Sequence, residues 1–190
     1  MIQLLMPYTD PLAGDEIIAK TQVWLERAVI GLNLCPFAKS VFVKKQVRYA
    51  LTAASTPDEL LAELEQELTR LSATAPAELD TTLLIHPLVM TDFLDFHFFL
   101  AEADALIRNL GFEGVFQIAS LHPNYEFAGS DPDDIANFTN RAPFPTLHLL
   151  RESSIDRAVA AFPDAESIFE RNIETMERLG HEGWKKLWLS

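Results

Sequence analysis

The residues that could do chemistry are concentrated in one stretch, residues 122–145, which reads HPNYEFAGSDPDDIANFTNRAPFP. Within it, Asn137, Asn140 and Arg141 offer two amides and a guanidinium, groups that together can hold a planar anion such as a carboxylate or a phosphate. We therefore predict that these three side chains bind an anionic substrate. The alternative is that both asparagines only close a short helix and the turn after it, because asparagine favours such positions.

The aspartates of the same stretch have a simpler interpretation. Residues 131–134 read DPDD, the pattern of a helix N-cap, a proline at the first helical position and acids in the positively polarised first turn. We therefore assign them to the start of a short helix. The whole connection is longer than most loops of compact domains, and ordered loops of this length are often functional.

Histidines end two of the predicted strands, since His86 and His122 each follow an apolar run and precede a proline. If those strands are parallel, both side chains lie at the same carboxyl edge of the sheet, where α/β proteins usually bind ligands. Whether the two histidines meet depends on the strand order, which the sequence leaves open.

A third histidine, His148, lies inside the next predicted strand and shares a face with Thr146 and Leu150. A histidine oriented by a carboxylate can act as a general acid or base near neutral pH. We therefore predict His122, His148 and Glu152 as catalytic residues. The alternative is that each histidine is structural and hydrogen-bonded to the loop backbone. The sequence has no compact ligand pattern such as HExxH, so no metal site is predicted.

Basic side chains gather in a segment without acids. Between Arg27 and Pro57 the chain carries no aspartate or glutamate, but it carries Lys39, Lys44, Lys45 and Arg48. A local basic patch on an acidic protein can steer a small anion, and we add Arg48 and Arg151 to the predicted substrate-binding residues. The alternative is that the lysines protect an exposed strand edge.

Cys35 is the single cysteine and precedes Pro36, where a new helical turn could start. A thiolate at such a position is stabilised by backbone amides and the helix dipole, so Cys35 is a possible reactive thiol and could serve a redox protein. Against this, no second cysteine stands at CxxC spacing, and a long helix rather than a strand precedes it. An inert, buried cysteine is the preferred interpretation.

Composition excludes several classes of protein. The chain has 190 residues, 48% hydrophobic and 23% charged, which is typical of one globular domain. Its 28 acids and 15 bases give a net charge of −13, which argues against nucleic-acid binding and against docking on an anionic membrane. One cysteine, no signal-peptide pattern and no long apolar run favour a cytoplasmic protein. The oligomeric state stays open.

The hydrophobic pattern predicts an α/β fold, close to α+β, in the order α-β-α-β-α-β-loop-β-α-α. Residues 1–14 are predicted to be an irregular lead-in and residues 15–190 a single domain. Strands that alternate with helices imply parallel pairs, and the last pair is expected to be antiparallel, which gives a mixed four-stranded sheet. Helices are predicted at residues 15–32, 56–71, 92–110, 153–161 and 165–179; strands within residues 41–51, 81–89, 115–121 and 146–150; and a tail at 183–190, whose Trp184 and Trp188 pack back onto the body.

Four blocks of the chain resemble a known family: residues 32–39 (LNLCPFAK), 81–85 (TTLLI), 114–129 and 134–152. On these blocks the chain is similar to the bacterial and plastid-lineage proteins grouped as domain-of-unknown-function family 1415. The resemblance spans nearly the whole chain from the first helix onward, and it implies that these blocks form the family signature. It carries over no activity, fold or cofactor, so the cofactor is unknown.

The chain departs from the family pattern at two places. It has LHPNY at residues 121–125 where Phe-His-Pro-Asp-Tyr is expected, and RAPFP at residues 141–145 where Arg-Ser-Pro-Tyr-Pro is expected. The resemblance therefore implies that a hydroxyl at 142 or 144, or an acid at 124, is dispensable. The stronger candidates for the functional site are then His122, Asn140, Arg141, His148, Arg151 and Glu152.

Two functions follow as hypotheses. The first is a small enzyme that binds an anionic metabolite through the histidine, arginine and asparagine site of residues 122–152. The second is a non-catalytic binding or assembly protein in which the same polar network only holds the long loop. A pocket into which these side chains converge would favour the enzyme. Polar side chains that hydrogen-bond only to the backbone of the loop would favour the non-catalytic protein.

Overall fold

The computed structural model of the protein describes residues 11–161 and 167–188. The chain follows the order α1 (Pro11–Trp24), a π-helical segment (Leu25–Ile30), α2 (Ala38–Val43), β1 (Val47–Leu51), α3 (Pro57–Ala73), β2 (Thr81–Ile85), α4 (Phe93–Asn109), β3 (Phe116–Leu121), a 3₁₀ helix (Ile135–Asn140), β4 (Thr146–Arg151), α5 (Glu152–Ala161) and α6 (Ile168–Lys186). The predicted α/β class is confirmed.

The four strands form one mixed sheet in the order β1-β2-β4-β3. β1 and β2 are parallel, whereas β4 is antiparallel to both β2 and β3. The mixed sheet was predicted, but parallel pairing of β2 with β3 was wrong, because β4 lies between them. The long connection from β3 allows this, since it returns the chain to the edge of the sheet from which β3 leaves.

One face of the sheet is closed by α3 and α4, which bury a continuous apolar core. The apolar stripe of α3 is fully buried: its members are Leu60, Leu64, Leu68 and Leu71. The predicted N-terminus of this helix is confirmed, because the Thr56 hydroxyl accepts a hydrogen bond from the Glu59 amide at 3.3 Å and Pro57 occupies the first turn. The cap therefore starts a helix whose spacing then aims every fourth leucine at the sheet.

We expect Thr56→Ala to lower the free energy of unfolding by about 1 kcal/mol, because the Glu59 amide loses its acceptor at a helix start. Urea denaturation measures this difference. Thr69→Ala is the control, since Thr69 is exposed within the same helix and caps nothing. Equal stability of the Thr56 and Thr69 variants would show that the cap contributes nothing.

The opposite face of the sheet is covered by the N-terminal helices and the end of the chain. Trp24, Leu25 and Ala28 are buried there together with Ala142. The Trp24 indole donates a hydrogen bond to the Arg141 carbonyl at 2.8 Å, which ties α1 to the end of the long connection. This second layer packs against the sheet less completely than α3 and α4 do, and a cavity remains beneath it.

Several predicted boundaries near the N-terminus were wrong. The first helix begins at Pro11, within the predicted lead-in, and after Trp24 it continues as a π-helical segment to Ile30. Residues 1–10 lie outside the described residues. Residues 41–43, predicted as strand, belong to α2, because the turn that begins after Cys35 continues into a helix despite the β-branched side chains. Only Val47–Leu51 of that region is strand.

Differences elsewhere are smaller. β2 ends at Ile85 rather than near residue 89, and β3 is an edge strand in which only Phe116 is buried. The helix predicted from residue 131 begins at Ile135, where the Asp134 carboxylate caps it. The predicted start of the last helix, at residue 165, lies outside the described residues.

The predicted C-terminal tail is helical up to Lys186, and α6 bends at Gly180, whose φ of 63° suits glycine. The bend returns the final turns to the body of the protein. The Trp184 ring lies 5.3 Å from the Phe138 ring and 5.4 Å from the Trp188 ring. Trp184 therefore packs back onto the body as predicted, whereas Trp188 contacts the Trp184 ring and is itself 39% exposed.

Candidate functional site

A cavity of about 850 Å³ lies between the sheet and the layer formed by α1, α2 and α5. Its floor is the sheet face on which the register aligns Leu83 of β2, His148 of β4 and Ala119 of β3. Apolar side chains dominate the lining, which includes Trp24, Leu25, Val29, Leu34, Leu121 and Leu150. The size falls within the range of about 300–1,000 Å³ that small-molecule sites occupy.

His148 is the polar group at the centre of this floor. Its Nε2 lies 2.8 Å from the Thr81 hydroxyl, which itself donates to the Leu149 carbonyl at 2.7 Å. A hydroxyl has one proton, so Nε2–H donates to Thr81 and Nδ1 is left as an acceptor with no partner among the described residues. Burial lowers the pKa of His148 to about 4, so the ring is neutral near pH 7.

Charged side chains collect at one end of the cavity. Thr81 pairs with Leu150 in the sheet, and Asp80 directly precedes this row. The Ser154 hydroxyl of α5 donates to the Asp80 carboxylate at 2.6 Å, and Arg157 donates to Ser154 at 2.9 Å. Lys44 also lines the cavity, and it stands two residues before Gln46, whose carbonyl accepts from the amides of Asp80 and Thr81. The cavity therefore combines a long apolar body with one charged end.

Cys35 lies in the wall of the cavity, at the turn that leads into α2. Burial raises the pKa of the thiol above its ordinary value. The backbone amides of Phe37 and Ala38 donate to the sulphur and lower the pKa, as expected for a cysteine at a helical turn, but this effect is smaller than that of burial. The thiol is therefore protonated near neutral pH.

In the predicted anion-binding loop, the Asn137 side chain and the Asn140 backbone hydrogen-bond within the loop and to the end of β3. Asn137 is fully buried, accepts from the Phe127 amide and the Ser130 hydroxyl, and donates to the Asp131 carbonyl at 2.8 Å. Asn140 lines the cavity, and its carbonyl accepts from the backbone amide of His122 at 3.3 Å. These bonds hold the loop in one shape.

Arg141 also serves the loop. Its guanidinium donates to the Tyr125 carbonyl at 3.1 Å and to the Pro132 carbonyl at 2.7 Å, and it lies 4.2 Å from the centre of the Phe138 ring. Burial lowers the pKa of Arg141, and the acids Asp133 and Glu126 oppose this shift. The Arg141 guanidinium therefore ties the beginning and the middle of the loop to its end.

His86 and His122 do meet, but on the other face of the sheet. β2 and β3 run in the same direction on either side of β4, so both histidines leave the same edge, as predicted, and both rings lie 5.4 Å from the Phe96 ring of α4. His86 Nδ1 donates to the Val89 carbonyl, and His122 Nε2 to the Met90 carbonyl. Neither lines the cavity.

The remaining predicted residues are divided between the two faces. Arg48 forms an ion pair with the buried Glu67 at 2.6 Å. Arg151 borders the cavity, but its guanidinium donates to the carbonyls of Leu71, Thr74 and Leu79 at the end of α3. Glu152 begins α5, and the ring of His148 is oriented by Thr81 instead. The structure thus brings His148, Asn140 and Cys35 to one cavity, places Arg151 at its border with the guanidinium turned to the carbonyls of Leu71, Thr74 and Leu79, and places the other predicted side chains elsewhere.

Sequence reasoning missed the polar end formed by Asp80, Ser154 and Arg157. A partial signal existed, because Ser154 and Arg157 stand at i,i+3 spacing on one helix face. Their meeting with Asp80 depends on β4 lying beside β2, which no local pattern reveals. Lys44 belonged to the basic segment already noted, but its place beside an apolar cavity follows only from the fold.

Within the described ranges, no group of three or more histidine, cysteine or acidic side chains is placed to hold a metal ion, and no helix is long and apolar enough to cross a membrane. Residues 16–186 match the family model described as Protein of unknown function (DUF1415). Neither the curated proteins nor the solved structures contain a significant match.

Proposed function

We propose that this chain, which belongs to the DUF1415 family, binds a small, largely apolar, anionic molecule in the cavity between the sheet and α1, α2 and α5. The observation that carries the proposal is the cavity itself: about 850 Å³, lined mainly by apolar side chains, with one neutral imidazole at the centre of its floor. Few convergent polar groups in an apolar site are typical of small-molecule binding.

His148 is suited to orient such a ligand. Thr81 holds the imidazole by its Nε2, so the Nδ1 lone pair can accept a hydrogen bond from a ligand hydroxyl or amide. Its pKa of about 4 makes it a weak base near neutral pH. This supports a binding role over proton transfer, and a catalytic role would have to use His148 without Glu152.

The long loop supports the site indirectly. Asn137 and Arg141 pin the loop, and the Arg141 carbonyl receives the Trp24 indole, which lines the cavity. Asn140, at the end of the 3₁₀ helix, lines it as well. The polar network predicted to bind the anion is thus proposed to shape the wall of the cavity in which the anion binds.

Filling the cavity tests the proposal. We expect Ala119→Phe to abolish the fluorescence enhancement of anilinonaphthalene sulfonate by the folded protein, because the larger ring occupies the floor beside His148. Ala101→Phe, on the exposed face of α4, is the matched control and keeps the enhancement. Circular dichroism confirms that both variants are folded. A probe signal that survives Ala119→Phe unchanged would exclude the cavity as the binding site.

Cys35 provides a second readout of occupancy. Because its pKa is raised, we expect alkylation by iodoacetamide to be slow at pH 7 and to accelerate as the pH rises above the ordinary thiol value. A ligand in the cavity should slow the reaction further, in proportion to occupancy. Mass spectrometry of the intact protein measures the rate. Rapid alkylation at pH 7, unaffected by the probe, would contradict both the raised pKa of the thiol and its place in the site.

A further inference from the structure

The charges at the end of the cavity point to the class of ligand, an inference that rests on the proposed function. In a chain with 28 acids and 15 bases, the described residues that line the cavity include three cations, Lys44, Arg151 and Arg157, and one acid, Asp80. We infer that the ligand is a single-chain carboxylate, with its head between Lys44 and Arg157 and its apolar tail along the sheet floor.

Two of the three cations are free to meet a ligand. The Arg151 guanidinium is committed to backbone carbonyls of α3 and the segment after it; burial lowers its pKa, and the nearby Asp80 partly opposes this shift. Among the described residues, Lys44 forms no ion pair and Arg157 donates only to the neutral Ser154 hydroxyl. Both side chains are exposed at the end of the cavity, so one anionic group can reach them without losing all of its hydration.

The dimensions favour a chain-like tail. The sheet floor extends from the row of Thr81 and Leu150 to the row of Leu121 and Thr146. These rows are four residues apart on β4, which corresponds to about 13 Å at the rise of a strand. Beyond the Thr81 row the lining is charged, whereas the lining residues near Leu121 are uncharged and include Trp24, Thr139 and Asn140. Charge is therefore confined to one end of the cavity, as a ligand with one charged head requires.

A carboxylate fits this end better than a more highly charged head. The Asp80 carboxylate accepts from the Ser154 hydroxyl at 2.6 Å, and Arg157 donates to the same hydroxyl, so this acid lies next to one of the two free cations. Its repulsion grows with the charge of the ligand head, so a monoanion is favoured over a phosphate dianion. The planar fork of Arg157 can also donate two parallel hydrogen bonds to a carboxylate. The acid-free segment around Lys44 adds a local attraction for anions on an otherwise acidic protein.

The test compares probes that share one tail. Binding of decanoate, decanol, decyl phosphate and decyltrimethylammonium to the full chain is measured by displacement of anilinonaphthalene sulfonate and by calorimetry at low salt. We expect decanoate to bind most tightly. The double variant Lys44→Gln, Arg157→Gln should weaken decanoate at least tenfold and leave decanol unchanged. The control Lys20→Gln, Lys185→Gln removes the same charge from two exposed surface ion pairs and should leave decanoate binding unchanged.

The outcomes separate the two proposals. If decanoate and decanol bind equally and the Lys44 and Arg157 variant changes neither, the head-group inference is overturned while the cavity remains a binding site. Tighter binding of decyl phosphate than of decanoate overturns the carboxylate assignment. If none of the four probes binds and Ala119→Phe leaves the fluorescence of the probe unchanged, the proposed function fails as well.

Discussion

Replacing Arg151 by methionine should lower the free energy of unfolding by about 3 kcal/mol, because buried carbonyls would lose their charged donor. Arg151 is 8% exposed and donates to the carbonyls of Leu71, Thr74 and Leu79, where α3 ends and the chain turns toward β2. Its guanidinium also lies over the Phe116 ring, at 5.5 Å. One side chain thus joins the end of α3, the segment before β2 and the core beneath β4.

The measurement is urea denaturation of the wild type and of three variants. Arg151→Lys should recover only part of the loss, since an ammonium cannot reproduce the fork that reaches several carbonyls. Arg70→Met is the control for charge removal in the same region, because Arg70 is exposed and its ion pair with Glu67 is 3.4 Å long; exposed pairs contribute about 1 kcal/mol or less. A stable Arg151→Met that loses only ligand binding would instead support the substrate-binding role expected from the sequence.

Arg151 also shows what the sequence could and could not predict. The period of two in β4 places Arg151 on the same face as Leu147 and Leu149 and opposite His148, so its direction toward the core was predictable. Its partners were not, because they lie more than 70 residues away at the end of another helix. Local patterns determine which face a side chain occupies, whereas strand order determines what it meets there.

The same distinction applies to the cavity. The N-cap at Thr56, the leucine stripe of α3 and the histidines at the ends of β2 and β3 are local or periodic signals, and the structure agrees with them. The cavity arises from incomplete packing between the sheet and α1, α2 and α5. Its volume depends on how three separate segments pack against the sheet. Neither the composition nor the spacing of residues predicts a cavity of this kind.

Acidification should destabilise the fold through His86, whose pKa is lowered to about 4, mainly by burial and further by the nearby His122. Its Nδ1 donates to the Val89 carbonyl, and its Nε2 is buried without a partner among the described residues. A proton on Nε2 would place an unpaired charge against Phe96. Because the folded pKa lies below the ordinary value of 6.5, the stabilisation is fully present above pH 6.5 and is lost as the pH falls toward 4.

The loss should amount to about 3 kcal/mol, taking 1.4 kcal/mol for each unit between the two pKa values. The variant His86→Asn keeps a donor for the Val89 carbonyl and cannot titrate. Carboxylates that protonate in the same pH range change the stability of both proteins equally. Their contribution therefore cancels when the stability of the variant is subtracted from that of the wild type. Urea denaturation at intervals between pH 7 and pH 4 should show this difference shrinking as the pH falls. The variant His97→Asn, at an exposed position of α4, is measured alongside to control for replacing a histidine by asparagine in general. A constant difference for His86→Asn would mean that the His86 ring gains its proton in the folded state without penalty, and that water or a partner reaches Nε2.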